Sequence, residues 1–172
     1  YKHNRKDKER PKLLEELRSY ITDKYETKTK SKLEADDVIG ILATLYPAKY
    51  IIASIDKDLQ QIPGGYYNWR TGILDTITEE EADFFFYKQI LTGDPTDGYK
   101  GCPGIGEKRA TKILEGVDLE TDGWKVVVET YVSKGLSEED ALQQARVARI
   151  LRKTDYDFRR KEPVLWSPRK AG

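Results

Sequence analysis

The order of patterns along this chain predicts an α/β fold, a mostly parallel sheet followed by a helical half. A helical pattern, LEADDVIGILATLY, runs straight into a β-prone apolar run, AKYIIASI, and that alternation is characteristic of a parallel sheet. The apolar run then ends in two carboxylates, Asp56 and Asp58, at the end of a strand, where open α/β sheets gather their ligands. From GEKRATKILEG onward helical periodicity dominates.

Taken in order, Tyr1 to Arg10 are basic and polar, and Pro11 stands where a first helical turn can begin. Leu13, Leu14, Leu17, Tyr20 and Ile21 recur at helical spacing, which predicts an amphipathic helix through KLLEELRSYITDKY. The segment YETKTKSK reads as a short edge strand or a loop. The next helix carries its acids in the first turn and stops at Pro47. After the strand, Pro63, Gly64 and Gly65 mark a turn, and YYNW and ILDTI flank Arg70, Thr71 and Gly72 as a hairpin. Thr78 and Glu81 have the form of a capping box, opening a helix whose aromatic cluster FFFY suits a core. GDPTDGYKGCPGIG is a long loop, and GEKRATKILEG a short helix closed by Gly116. Two further helices follow, the first ended by Gly135 and the second capped by Ser137; the tail shows little regular pattern.

Composition narrows the chemistry. The chain has 172 residues, one domain's worth, with 35% charged and 38% hydrophobic residues. No apolar run approaches the roughly 20 residues that span a bilayer. A cytosolic protein without a membrane partner is therefore expected. A single cysteine, Cys102, excludes an internal disulfide and a cysteine-based zinc cluster, and the lone His3 argues against a histidine-rich zinc site or a Ser-His triad. Any metal must then be held by carboxylates, and oxygen ligands favour magnesium or manganese over zinc. The formal net charge is zero, yet bases cluster in KHNRKDKERPK, GEKRATK and RRK while acids cluster in LEADDVIG, DKD and GDPTD. Such segregation suits a protein that grips a polyanion beside a metal site.

Three acidic groups stand at structural boundaries: Glu34, Asp36 and Asp37 opening a helix, Asp56 and Asp58 closing a strand, Asp94 and Asp97 before a helix. In a strand, Asp56 and Asp58 point to the same side. Glu34 with Asp37, and Asp94 with Asp97, share a face at i and i+3 if helical. Carboxylates also favour helix N-termini for the macrodipole alone, and Asp is common in turns, so each group has an ordinary structural explanation as well. If all seven converge, their repulsion calls for cations between them, and two divalent ions roughly 4 Å apart can drive in-line phosphoryl displacement. In GCPGIGEKRATK, Gly101, Gly104 and Gly106 permit close backbone approach, and Lys108, Arg109 and Lys112 add positive charge. The alternative is a plain glycine turn before a solvated basic helix. Pro-Gly-Ile-Gly before a basic helix resembles the hairpin of a helix-hairpin-helix module, which grips the DNA backbone without reading sequence.

The opening YKHNR, then LEADDVIG, IASIDKD and LTGDPTDGYKGCPGIGEKRATKIL, in that order, resemble the motifs of the flap endonuclease superfamily of 5′ nucleases. The nearest likeness is to 5′-3′ exonucleases of short-tailed phages, with the nuclease domain of bacterial DNA polymerase I more distant. The likeness continues into ARILRKTDYDF. It implies a PIN-like nuclease core over residues 1–92, with a helical arch segment at 1–30, and a helix-three-turn-helix DNA-binding region over 93–172. It implies that Glu34, Asp36, Asp37, Asp56, Asp58, Asp94 and Asp97 hold two Mg2+ or Mn2+ ions. Lys2 and Arg5 would act near the scissile phosphate, and Tyr1 would stack on a base. Gly101, Gly104, Ile105 and Gly106, with Lys108, Arg109 and Lys112, would contact DNA, with a potassium ion against the loop carbonyls. The implied activity is metal-dependent 5′-3′ hydrolysis of duplex or 5′-flap DNA, extending to RNA-DNA hybrids, by a monomer in the cytoplasm, that of the host if phage-encoded.

Two departures stand out. Polymerase-type relatives carry Asn where this chain has Gly98. The family's first strands, with two further Asp residues, have no counterpart, and the chain opens on Tyr1 without any methionine, so a fragment lacking strands beside IIASI is expected. The alternative reading is a non-catalytic, structure-specific DNA-binding fragment of such a nuclease. A carboxylate-metal phosphatase for small substrates fits the glycine loop poorly.

Overall fold

The computed structural model describes residues 11–168. Tyr1, Lys2 and Arg5 lie outside the described residues. Helix α1 (Leu14–Lys24) forms as its periodicity predicts, but none of its residues is buried, so the stripe of Leu17, Tyr20 and Ile21 is left exposed. The segment YETKTKSK forms no strand. Helix α2 (Ala35–Leu45) starts at a reciprocal cap, in which the Glu34 side chain accepts from the N3 backbone and Asp37 Oδ2 accepts from the Glu34 N–H at 3.4 Å. Its buried face, Val38, Ile41 and Ala43, packs toward strand β1 (Ile51–Ala53).

The sheet is mixed rather than mostly parallel. Strand β1 pairs in parallel with β2 (Gly64–Asn68), which pairs antiparallel with β3 (Ile73–Ile77) in the expected hairpin. The hairpin turns because Asn68 Oδ1 accepts from the Arg70 and Thr71 N–H groups at 3.0 and 3.2 Å, holding the bend with one short side chain. Gly64 and Gly65 belong to β2 itself and not to a turn before it. Alternation along β1 and β2 buries Ile52 and Tyr66 while Ile51 and Tyr67 face outward.

Helix α3 (Glu79–Thr92) opens on the expected box: Thr78 Oγ1 accepts from the Glu81 N–H at 3.1 Å and Glu81 Oε2 from the Thr78 N–H at 2.8 Å. Helices α4 (Glu107–Leu114), α5 (Gly123–Val132) and α6 (Glu138–Ala148) complete a helical half, with Ser137 capping α6. The tail is less idle than its sequence suggests. It forms a small antiparallel pair, β4 (Tyr156–Asp157) with β5 (Glu162–Pro163), and sets the Trp166 ring edge-on to Phe86 and Trp124.

Two cores result. One joins α3 to α6 around Phe86, Ile90, Leu114, Val127 and Tyr131; the other lies under the sheet around Ile52, Leu59, Ile62, Tyr66 and Ile150. Helix α3 contributes to the first and also packs on residues 57–61, which contribute Leu59 to the second. Ile150 lies beyond α6 yet packs under the sheet, so the chain returns to its first half after the helices.

That return depends on Gly40. A Cβ there would overlap the Leu151 carbonyl oxygen and stand 2.9 Å from Ile62 Cδ1. On an exposed helix, Gly→Ala would stabilise by about 0.5–1 kcal/mol. Here Gly40→Ala is expected to destabilise by about 1–3 kcal/mol through overpacking, read as a lower urea midpoint; a raised midpoint would refute the close approach.

Candidate active site

The carboxylates of IIASIDKD are not arranged as strand neighbours. Strand β1 ends at Ala53, and Asp56 caps a 3-10 turn over Lys57–Gln61, its Oδ1 accepting from the Asp58 N–H at 3.0 Å. Local capping has overridden the extended spacing that would point both acids one way. They nonetheless act on one another, because Asp58 is half-buried in the first residues of that turn.

Asp94 and Asp97 come to the same place from the C-terminal end of α3. An antiparallel bridge between Asp94 and Tyr99 pinches off a short loop, in which Asp94 Oδ1 accepts from the Thr96 N–H at 2.7 Å and the Asp97 N–H at 3.4 Å. This is an Asp-stabilised turn and not a helical one. Asp58 registers the convergence: burial, then Asp56, push its carboxyl up to about 6, with Asp94 and Asp97 adding to the rise and Lys57 opposing it. Tyr99, buried above the same loop, is pushed up by burial and then by Asp58, Asp94 and Asp97. Four of the seven predicted carboxylates thus share one field.

The α2 acids are anchored separately. Asp37 Oδ1 accepts from the Leu151 N–H at 3.1 Å, while Glu34 and Asp37 also cap the helix, and Asp36 lies in its first turn. Among the described residues, no three or more His, Cys, Asp or Glu side chains are gathered so that they could together hold a metal ion. The donor chemistry still fits a hard divalent ion, being all oxygen with an excess of negative charge. Magnesium in particular keeps several waters and is held through one or two carboxylates plus substrate phosphate, so an open arrangement suits it better than a cage.

The glycine loop follows directly. Gln144 of α6 accepts from the Lys100 and Gly101 N–H groups at 3.1 and 3.0 Å, which ties the loop's start to the helical core. Gly101 is buried and serves internal packing, whereas Gly104 and Gly106 are exposed with open space around them. Ile105 is a buried anchor between them. Lys108, Arg109 and Lys112 are exposed on α4, and Arg109 Nη1 donates to the Gly104 carbonyl at 2.9 Å, bracing the turn.

Residue patterns had not singled out Gln61, Gln89 or Arg152. Arg152 is buried, donates to the Gln61 carbonyl at 2.7 Å and pairs with Asp83 at 2.8 Å, joining the post-α6 segment to α3 and the 3-10 turn. The available signal was a glutamine, Gln89, on an otherwise apolar face of α3 beside Phe86 and Ile90, since a buried polar group is the informative exception.

Acids gathered beyond a parallel strand pair, with a braced glycine turn and exposed cations a few residues on, describe a carboxylate-rich α/β class. Comparison with known proteins narrows that class. The chain is 31% identical over 205 aligned residues to the exodeoxyribonuclease of Enterobacteria phage T3, and 31% identical over 204 to the exonuclease of Escherichia phage T7. Each alignment covers 98% of this chain and 67% of the relative. A solved T5 protein, co-crystallised with metal ions, superposes with a TM-score of 0.65 at 21% identity, covering 90% of this chain and 69% of that one. No family model matches. The chain belongs to the phage 5′-3′ exonuclease family, within the flap endonuclease superfamily of 5′ nucleases. It spans about two thirds of the length of these two phage relatives.

Proposed function

We propose that this chain hydrolyses phosphodiesters near the 5′ end of duplex or flapped DNA, acting as the core of a divalent-metal-dependent 5′-3′ exonuclease or flap endonuclease. The observation that carries the reading is the shared field of Asp56, Asp58, Asp94 and Asp97 shortly before an exposed glycine turn. Glu34, Asp36 and Asp37 complete the proposed ligand set for two Mg2+ or Mn2+ ions. When bound, such ions supply Lewis-acid stabilisation of the charge that develops on the phosphodiester. The protein's part is to hold the acids in place and exclude other arrangements. Asp56 is pinned by its own cap, Asp94 by its turn, and Asp37 by Leu151.

The helical region beyond residue 92 supplies the grip. Gly104, Ile105 and Gly106 present backbone to a DNA phosphate, and Lys108, Arg109 and Lys112 contribute sequence-independent attraction. The Gly104 carbonyl accepts from Arg109 and keeps a second lone pair, so it stays among the loop carbonyls proposed to hold a potassium ion. Lys2 and Arg5 remain proposed partners of the scissile phosphate, and Tyr1 of a base. RNA-DNA hybrids are proposed substrates, since contacts to phosphates do not read the base sequence, and the acting species is proposed to be a monomer.

Cleavage of a 5′-flap duplex labelled within the flap tests this. Product that requires Mg2+ or Mn2+, and that disappears in an Asp56→Ala, Asp58→Ala double variant, is the expected result. Salt-sensitive binding without product would instead establish a non-catalytic DNA-binding fragment.

The raised Asp58 carboxyl supplies a second test. Its folded value, about 6, exceeds the ordinary 3.8, so the folded state binds that proton more tightly than the unfolded chain. The group's contribution to metal-free stability is therefore greatest below about 4 and is lost as pH rises to about 6. A cation that favours the anion reverses this loss. The gain in melting temperature on adding Mg2+ should be larger at pH 7 than at pH 5, and equal gains would place Asp58 outside the ion's reach.

A further inference from the structure

Behind Asp58 runs a buried relay of two amides. Gln89 Nε2 donates to Asp58 Oδ1 at 2.7 Å, Gln61 Nε2 donates to Gln89 Oε1, and Gln61 Nε2 also donates to the Ala148 carbonyl at 2.7 Å. The Ile150 N–H donates to Gln61 Oε1 at 3.2 Å. Gln61 is 1% exposed and Gln89 6%.

The direction of this relay is not free. A backbone N–H can only donate, so Ile150 fixes which end of the Gln61 amide is oxygen. The Gln61 NH2 must then face Ala148 and Gln89, which makes the facing atom of Gln89 its oxygen and turns its NH2 toward Asp58. Two backbone groups at the end of α6 thereby dictate that Asp58 meets a donor. Arg152 holds the Gln61 carbonyl from the other side, at 2.7 and 3.2 Å, so the relay's middle member is clamped through both backbone and side chain. The neighbouring Leu151 N–H holds Asp37. One stretch, residues 148–152, therefore sets both the α2 acid and the 3-10 acid.

We propose that Gln89, oriented by Gln61, is a positioning residue for Asp58: it occupies one carboxylate oxygen and leaves the remaining lone pairs presented to a divalent cation. The proposal rests on the carboxylate-metal reading given above. An amide is needed for this task. Glutamate at position 89 could accept from Gln61 but, ionised, could not donate to Asp58, and methionine of similar volume could do neither.

Mn2+ binding, followed through the EPR signal of the free ion in the absence of DNA, tests the relay without relying on turnover. Loss of an outer hydrogen bond to a ligand weakens metal affinity by about 10–100-fold. Gln89→Met is expected to fall in that range while its affinity for a 5′-flap duplex in EDTA stays at the wild-type value. In an Asp58→Asn background the same substitution should add nothing, because the residue through which Gln89 acts has been removed. Should Gln89→Met fail to fold, Gln89→Leu also removes the donor to Asp58 without adding a charge and is expected to show the same loss. Wild-type Mn2+ affinity in a folded variant, with only its melting temperature lowered, would overturn the relay alone. No Mn2+ binding by the unaltered protein would overturn the metal reading and the relay together.

Discussion

Arg149→Met is expected to destabilise the protein by about 3–5 kcal/mol, the range for removing one partner of a buried ion pair. Arg149 and Asp155 side chains are 7% and 9% exposed and meet through two nitrogens on Asp155 Oδ2, at 2.9 and 2.8 Å. The guanidinium also lies over the Phe86 ring, 5.0 Å from its centroid. Burial, then the charge of Arg152, lowers the Arg149 guanidinium below its ordinary value. Most of the expected loss is the cost of leaving the Asp155 charge buried with only the Arg152 N–H, at 2.9 Å, still donating to it. If so, adding Asp155→Asn to Arg149→Met should recover a large part of the stability, since an amide oxygen can keep that bond without a charge. Urea denaturation of the three variants decides it. A change within about 0.5 kcal/mol for Arg149→Met, the range for a surface residue, would mean the pair is not buried as described.

The same pair shows where reading the residues alone runs out. Arg149 and Arg152 sit in RVARILRK, a run that looks like solvated charge, and what buries them is a tail and a helix distant in sequence. Local signals were legible because local chemistry decides them: Thr78 with Glu81 forms its box, Ser137 caps its helix, and the hairpin turns where expected, at Asn68. The geometry of the acidic pair was misread. Asp56 found a backbone N–H two residues on, and that bond bent the chain before the strand could continue. The amide relay was not legible at all, for its members are separated by 28 residues between Gln61 and Gln89, and by 31 between Asp58 and Gln89. Motif order carried the family; only the fold could show what stands behind Asp58.

The glycines of the loop separate by role in the same way, which leads to a paired expectation. Gly101 has φ +65° and Gly104 φ +74°, so alanine at either carries the left-handed cost of about 1–2 kcal/mol. Around Gly104 there is open space, and Gly104→Ala should lose no more than that cost. At Gly101 a Cβ would run into the Gly93 backbone nitrogen and stand 2.5 and 2.7 Å from Thr92 C and Leu91 O. None of these atoms can swing aside as a side chain would. An overpacking cost of about 1–3 kcal/mol adds to the strain, giving about 2–5 kcal/mol in all. The bond from the Cys102 N–H to Leu91 O, at 2.8 Å, closes the neck of the loop that carries Asp94 and Asp97, so forcing it open displaces those acids. Gly101→Ala should therefore lower both the denaturation midpoint and the stabilisation gained from Mg2+, while Gly104→Ala keeps the Mg2+ response and weakens the grip on duplex DNA. Equal losses at the two positions would mean that the neck is not a packed contact, and that strain in the backbone alone keeps glycine there.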